Sequence, residues 1–105
     1  MRAQAAAMSG FSNRAGVPID GKEWAAIWGR DHTVVQQDLL PNGYYVSTVW
    51  DGVERPRHDG PPLIFESMVF RKGAWHAPVA TAYWSTEREA RAGHAALVQE
   101  WSSTP

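Results

Sequence analysis

The chain has 105 residues, of which 44% are hydrophobic and 20% are charged, and its formal net charge is −1. That length predicts one domain with a single modest core. The scattered basic residues argue against a duplex nucleic acid as partner, and the lack of cysteine excludes disulfides and thiolate metal sites. No apolar stretch approaches the ~20 residues that a membrane helix needs, which argues against a membrane partner. The lack of disulfides suits a cytosolic setting.

Residues 1–18 contain small and polar residues with little periodicity. Such a segment predicts a flexible leader, followed by a single domain over residues 19–105.

A short helix is predicted over residues 20–29. Asp20 can cap its first turn and Glu23 can return the bond, which is the pattern of a capping box. Trp24 lies on the apolar face of this helix, and Gly29 supplies its end.

Four strands follow, over residues 33–40, 44–51, 61–70 and 79–84. The turn Pro41-Asn42-Gly43 favours a hairpin between the first two, because Asn-Gly accepts the positive φ angles that a tight turn requires. The third strand is apolar at most positions of both alternating sets, which indicates a central strand covered on both faces. Glu66 is the one carboxylate within it.

The segment from Asp51 to Pro62 is predicted to be a loop, because it contains three prolines and two glycines. Clustered ionisable side chains mark it as a candidate functional loop, although a solvated connection is the alternative. They are Asp51, Glu54, Arg55, Arg57, His58 and Asp59.

The last element is predicted to be a helix that begins with a capping box at Thr86 and Glu89. Its buried stripe includes Gly93, whose presence inside a helix suggests a close approach to the sheet, and His94 beside it. The order of elements predicts an α+β fold: an antiparallel sheet of about four strands, with the C-terminal helix on one face and a short N-terminal helix.

Two kinds of chemistry are compatible with these residues. Glu66 on the central strand and His94 on the helix stripe are expected to be buried and paired, either as a satisfied core contact or as an enzymatic pair. The histidines show no close-spaced ligand pattern, so neither a metal nor a cofactor is expected.

Aromatic side chains favour binding. Six tryptophans and three tyrosines exceed what a small core needs. Four of these side chains fall at strand ends or next to loops, where they could contact a partner: Trp50, Trp75, Tyr83 and Trp84. The expected ligand surface joins Trp50, the 51–61 loop and the start of the last helix at Thr86, where free backbone N–H groups could meet an anion.

Three stretches resemble a family of small, uncharacterised proteins of tailed phages and prophages. They are Tyr45-Val46-Ser47-Thr48-Val49-Trp50, Pro62-Leu63-Ile64-Phe65-Glu66-Ser67-Met68-Val69-Phe70, and Ser85-Thr86-Glu87 with Glu89-Ala90 and Ala92-Gly93-His94. Similar proteins carry a Gly-x-Asp-His step after the Val-Trp strand, whereas here a longer loop separates Trp50 from His58 and Asp59. Ser67 stands where the family has threonine.

The resemblance implies a viral accessory protein in the host cytoplasm. We therefore expect a non-catalytic protein that sequesters a nucleotide-like signal or caps a host protein, and so interferes with an anti-phage process. The alternative is a small hydrolase that uses Glu66 and His94. The expected ligand-binding residues are Trp50, Asp51, His58, Asp59, Glu66, Tyr83, Thr86 and His94. We also expect a homodimer, because two short helices cannot cover both faces of the sheet. The alternative is a monomer in which the leader, residues 1–18, wraps back and covers the second face.

Overall fold

A computed structural model describes residues 10–105 of the chain. Its strands are β1 (Phe11–Ser12), β2 (Pro18–Ile19), β3 (Val34–Leu39), β4 (Tyr44–Arg55), β5 (Leu63–Arg71) and β6 (Ala80–Trp84). Its helices are α1 (Gly21–Ile27), α2 (Arg30–Thr33) and α3 (Glu87–Ser102). None of these helices is long and apolar enough to span a membrane.

The strands form one antiparallel sheet in the order β2-β1-β4-β5-β6, and β3 pairs with β4 as well. β1 and β3 meet different parts of the long strand β4, β1 at Val53 and β3 between Tyr45 and Val49. The predicted α+β class is therefore confirmed, with more strands than predicted.

The extra strand β1 and the second part of β4 lie in segments that were not predicted to belong to the sheet. β1 belongs to the predicted leader, of which residues 10–18 are described, while residues 1–9 lie outside the described residues. β4 continues through Arg55, although a loop was expected from Asp51. A register shift between Trp50 and Arg55 lets the strand bend and receive β1, so this correction follows from an irregularity in the strand pairing.

The predicted capping residues lie at the starts of α1 and α3. Asp20 and Glu23 form the capping box at α1. At α3 the Oγ1 of Thr86 accepts a hydrogen bond from the backbone N–H of Glu89, as in the predicted box. The Glu89 carboxylate, however, accepts from the backbone N–H of Ser85 rather than from Thr86.

Alternation along β4 and β5 creates two different faces. The covered face, which packs against α3, has fully buried residues that include Val46, Thr48, Phe65, Ser67 and Val69. Their neighbours on the other face are only partly buried. We call this second surface the open face, and it comprises Gln37, Leu39, Tyr45, Ser47, Val49, Asp51, Glu66, Met68, Phe70, Thr81 and Tyr83.

The prediction that the central strand is covered on both faces is therefore wrong for most of its length. Phe65 and Ile64 are both buried in the core, in a cluster with Trp50 and with Ala90 of α3. Because α3 contributes one apolar stripe, it covers one face of the sheet.

Gly93 has the role expected for it. A Cβ built at this position would lie 2.2 Å from a ring carbon of Trp84 on β6. The missing side chain thus allows α3 to approach the sheet closely, and the indole fills the space.

Candidate functional site

A hydrogen-bonded network crosses the interface between α3 and the sheet. The Nδ1 atom of His94 lies 2.6 Å from the hydroxyl of Thr48, and its Nε2 lies 2.7 Å from a carboxylate oxygen of Asp38 on β3. The Thr48 hydroxyl is also 2.6 Å from that of Ser67, which accepts from the indole N–H of Trp84 at 2.9 Å. Five residues from five elements are joined in this way.

With a neutral imidazole at His94, the chemistry of the two ends gives the bonds one direction. Trp84 can only donate and the Asp38 carboxylate can only accept. A neutral imidazole with its proton on Nε2 therefore donates to Asp38 and accepts from Thr48, and Thr48 accepts from Ser67. In this arrangement every donor in the network has an acceptor, which a buried polar cluster requires.

This network corrects the predicted pairing of His94 with Glu66. Both ring nitrogens of His94 already have other partners, and Glu66 lies on the open face. The acid that His94 meets comes from β3, because α3 reaches across β4 to the far strand. The hydrogen bond from His94 is the main cause that lowers the pKa of Asp38.

Asp38, His94 and Thr48 follow the order of acid, imidazole and hydroxyl that activates a nucleophile in many hydrolases. Here, however, Thr48, Ser67 and His94 are each 0% exposed. Neither hydroxyl is exposed to solvent, and the network links α3 to β3, β4, β5 and β6 from within the core.

The open face has a polar half built on β4, β5 and β6. The guanidinium of Arg55 forms an ion pair with Asp51 and lies 4.5 Å from the ring centroid of Tyr83. Glu66 is opposite Tyr83 in the strand register. Burial is the main cause that raises the pKa of Glu66, with a further contribution from the negative charge of Asp51.

The other half of the open face is aromatic. The turn after β5 brings Trp75 back onto the sheet, where its ring centroid lies 5.7 Å from that of Tyr45 and 6.4 Å from that of Phe70. Trp75 is 51% exposed, and Leu39 on the neighbouring β3 is 65% exposed. Rigid strands thus display a cluster of large apolar side chains to solvent.

Of the eight predicted ligand-binding residues, the structure brings only Asp51, Glu66 and Tyr83 together. His58 and Asp59 are exposed on the connection between β4 and β5, outside the strands. Trp50 is 0% exposed and donates its indole N–H to the backbone carbonyl of Ser12. Its assignment to an accessible binding rim is therefore wrong, because β1 packs over the strand end that had been expected to lie free.

The start of α3 is also poorly suited to an anion. The backbone N–H groups of Ser85 and Glu89 already donate to the Glu89 carboxylate and the Thr86 hydroxyl. Glu87, next to them, is held in ion pairs by Arg14 and Arg91, which lower the pKa of its carboxyl.

A small, partly open cavity offers little room for a ligand. One cavity of about 160 Å³ lies between the β3–β4 turn, the end of β5 and the C-terminus. Typical ligand pockets measure about 300–1,000 Å³. None of the predicted site residues lines this cavity. Within residues 10–105 no group of three or more His, Asp or Glu side chains could hold a metal ion.

Known proteins provide no guide to the function of this chain. No protein-family model, curated protein or solved structure matches the chain. Arg55 and Trp75 are absent from the eight predicted ligand-binding residues, although Trp75 was counted among the aromatic side chains near strand ends. Arg55 was counted only as part of a charged loop, yet its spacing of four residues from Asp51 becomes a close contact where β4 bends.

Proposed function

We propose that this chain is a non-catalytic binding protein, of the accessory kind that the phage resemblance implies, and that its open face binds a host protein. The observation that carries the proposal is the uncovered sheet surface, on which Leu39, Trp75 and Tyr83 are at least 40% exposed. Leu39 and Trp75 lie in its aromatic half, and Tyr83 lies beside the Arg55–Asp51 pair in its polar half. Exposed aromatic and arginine side chains on rigid elements are the residues that dominate protein interfaces.

A protein partner suits this surface better than a nucleotide-like ligand. The open face is a broad sheet surface with an apolar half and a charged half, and a nucleotide would be bound more tightly in an enclosed pocket with convergent polar groups. Host proteins with a complementary apolar patch and an acidic or basic rim fit the two halves. Binding of this kind would cap the host protein and interfere with its activity.

The hydrolase alternative has one observation in its favour, the acid–imidazole–hydroxyl order of Asp38, His94 and Thr48. The complete burial of the hydroxyl opposes it. Glu66, the other proposed catalytic group, lies on the opposite face and has no contact with His94 among the hydrogen bonds and ion pairs of the described residues.

The test compares a double substitution on the open face with a single substitution at an exposed position elsewhere. Trp75→Ser with Tyr83→Ser alters the open face, whereas Trp28→Ser alters a tryptophan that is 48% exposed at the end of α1. Tagged wild-type protein and both variants are crosslinked in lysate of a bacterial host, and captured proteins are quantified by mass spectrometry. We expect a specific host protein to be lost with the open-face variant and kept with Trp28→Ser. Equal capture by all three proteins would contradict the proposal.

Two further measurements separate the alternatives. Native mass spectrometry of the purified protein would show a retained nucleotide as an added mass, which would favour sequestration of a small molecule. Turnover of a panel of nucleotides and esters that disappears in both Thr48→Val and Glu66→Gln would favour the enzyme. We expect neither an added mass nor turnover.

A further inference from the structure

The three outer edges of the sheet differ in how they are protected against pairing with another strand. The edge at β2 is two residues long and contains Pro18. The edge at β3 has a register shift between Val34 and Gln36 and carries Asp38. Proline, short length, irregular pairing and charge are the features by which sheets discourage further pairing.

The edge at β6 has none of these features. Its five residues, Ala80 to Trp84, include neither a charge nor a proline and pair with β5 in a continuous register. α3 lies over the covered face of the sheet and leaves this edge as the last strand in the order. An uncharged, regular edge strand is a surface onto which another strand can be added.

We infer that β6 is a dimer interface, at which two copies of the chain pair antiparallel and join their sheets into one. A second copy fits the edge because an uncharged strand can face itself without like-charge contacts. The protection of the β2 and β3 edges explains why pairing would stop at two copies instead of continuing into a filament. This inference does not depend on the proposed function.

Symmetry restricts the register of such a pair. In a two-fold antiparallel ladder, hydrogen-bonded and non-hydrogen-bonded pairs alternate, so one residue has to face its own copy across the axis. Placing Ala82 there pairs all five residues of β6. Thr81 of one copy then opposes Tyr83 of the other, and Ala80 opposes Trp84.

The predicted dimer would also extend the open face. Antiparallel pairing about an axis perpendicular to the sheet keeps both α3 helices on the same side and both open faces on the other. Each Tyr83, with Arg55 over its ring, would then lie next to Thr81 of the second copy. Two polar halves would be joined across the axis into one composite surface.

Charge substitutions test the interface and its register together. Thr81 and Tyr83 are exposed, so both tolerate polar replacement in the folded monomer. In the variant Thr81→Glu/Tyr83→Glu each glutamate opposes another glutamate, and the same holds for lysines in Thr81→Lys/Tyr83→Lys. Light scattering after gel filtration, at micromolar concentration, should give twice 11.7 kDa for the wild type and the single mass for each variant. We expect the dissociation constant to rise by at least about tenfold in each variant.

Mixing the two variants restores opposite charges at both positions, so a mixed dimer should form. Circular dichroism confirms that each variant is folded. Leu39→Glu on β3 serves as the control and should leave the dimer intact. Because the chain contains no cysteine, Ala82→Cys adds a single thiol that should crosslink to its own copy with a short bismaleimide. A monomeric wild type, loss of the dimer in Leu39→Glu alone, or no crosslink at Ala82→Cys would overturn the inference.

Discussion

The two faces of the sheet differ in how far their polar residues are exposed to solvent. Thr48 and Ser67 on the covered face complete a chain of hydrogen bonds under α3. Their neighbours Val49 and Glu66, one step along each strand, lie on the open face, where the carboxylate is only partly buried. The comparison shows that a cluster of catalytic residue types is weak evidence of chemistry when solvent cannot reach it. Exposed aromatic and charged groups are the better guide, and they support the open face as the proposed binding surface.

The largest expected difference concerns tryptophan. Trp50→Ala removes a fully buried side chain from the core cluster with Ile64 and Phe65 and should lower the free energy of unfolding by about 3–5 kcal/mol. Trp75→Ala, half exposed on the open face, should change it by less than about 0.5 kcal/mol. Urea unfolding of both variants measures the contrast. Similar losses in the two variants would show that the open face is part of the core.

A second contrast uses glycine on the covered side. Gly93→Ala places a methyl group 2.2 Å from the ring of Trp84 and should cost about 3 kcal/mol, because the helix or the indole has to move. Gly29→Ala is the matched control, since a Cβ there meets no atom within 4 Å. Thermal unfolding followed by circular dichroism should show a clear decrease in Tm for the first variant and little change for the second.

A third contrast concerns two hydroxyls that are adjacent in sequence. Thr48→Val keeps the shape of the side chain but removes the partner of the His94 Nδ1 atom and one of the two partners of the Ser67 hydroxyl, and it should cost about 2 kcal/mol. Ser47→Ala removes a half-buried hydroxyl that receives one bond from Gln37 on the open face, and its cost should be under about 1 kcal/mol. Equal losses in chemical denaturation would contradict the proposed role of the network.

The smallest expected effects are those of pH, and they have opposite signs on the two faces. The pKa of Asp38 is lowered from 3.8, chiefly by the hydrogen bond from His94, so its stabilising contribution is present above that value and is lost as the pH falls through the lowered pKa. The pKa of Glu66 is raised from 4.5, chiefly by burial, so its ionised form destabilises the fold at neutral pH. That destabilisation disappears as the pH falls through the raised pKa towards 4.5.

Unfolding curves between pH 3 and 7 test both signs. Glu66→Gln should be more stable than the wild type at pH 7, with the difference vanishing in acid. Asp38→Asn should be less stable at pH 7 and should lose less stability below pH 4. A Glu66→Gln variant that is destabilised at pH 7 would show that this carboxylate is held by favourable contacts.

Local patterns allowed much of the fold to be predicted. Asn42-Gly43 marks the turn between β3 and β4, where Gly43 has a φ of 95°, and the caps at Asp20 and Thr86 mark the starts of α1 and α3. The close approach of α3 to the sheet at Gly93 could also be predicted, because a glycine inside a helix is costly unless packing requires it.

The candidate site was harder to predict because it depends on which strands become neighbours. The pairing of β3 with β4 places Asp38 within reach of His94, although 56 residues separate them in the sequence. The prediction paired His94 with Glu66 because both positions were apolar in context, and the register sends Glu66 to the other face. Trp50 was misplaced for a similar reason, since the cover supplied by β1 comes from a segment with little periodicity.

The buried network has a consequence for how the chain folds. The Thr48 hydroxyl on β4 finds its helical hydrogen-bond partner, His94, 46 positions later in the sequence. In a hairpin of β4 and β5 that formed before α3 docked, the hydroxyls of Thr48 and Ser67 would still be exposed to water. Removing water from these hydroxyls before α3 docks would leave them without the hydrogen bond to His94, and an unsatisfied buried polar group is costly. Sheet closure and helix docking therefore belong to one cooperative step, and contacts of such long sequence separation predict slow folding for a chain of this size.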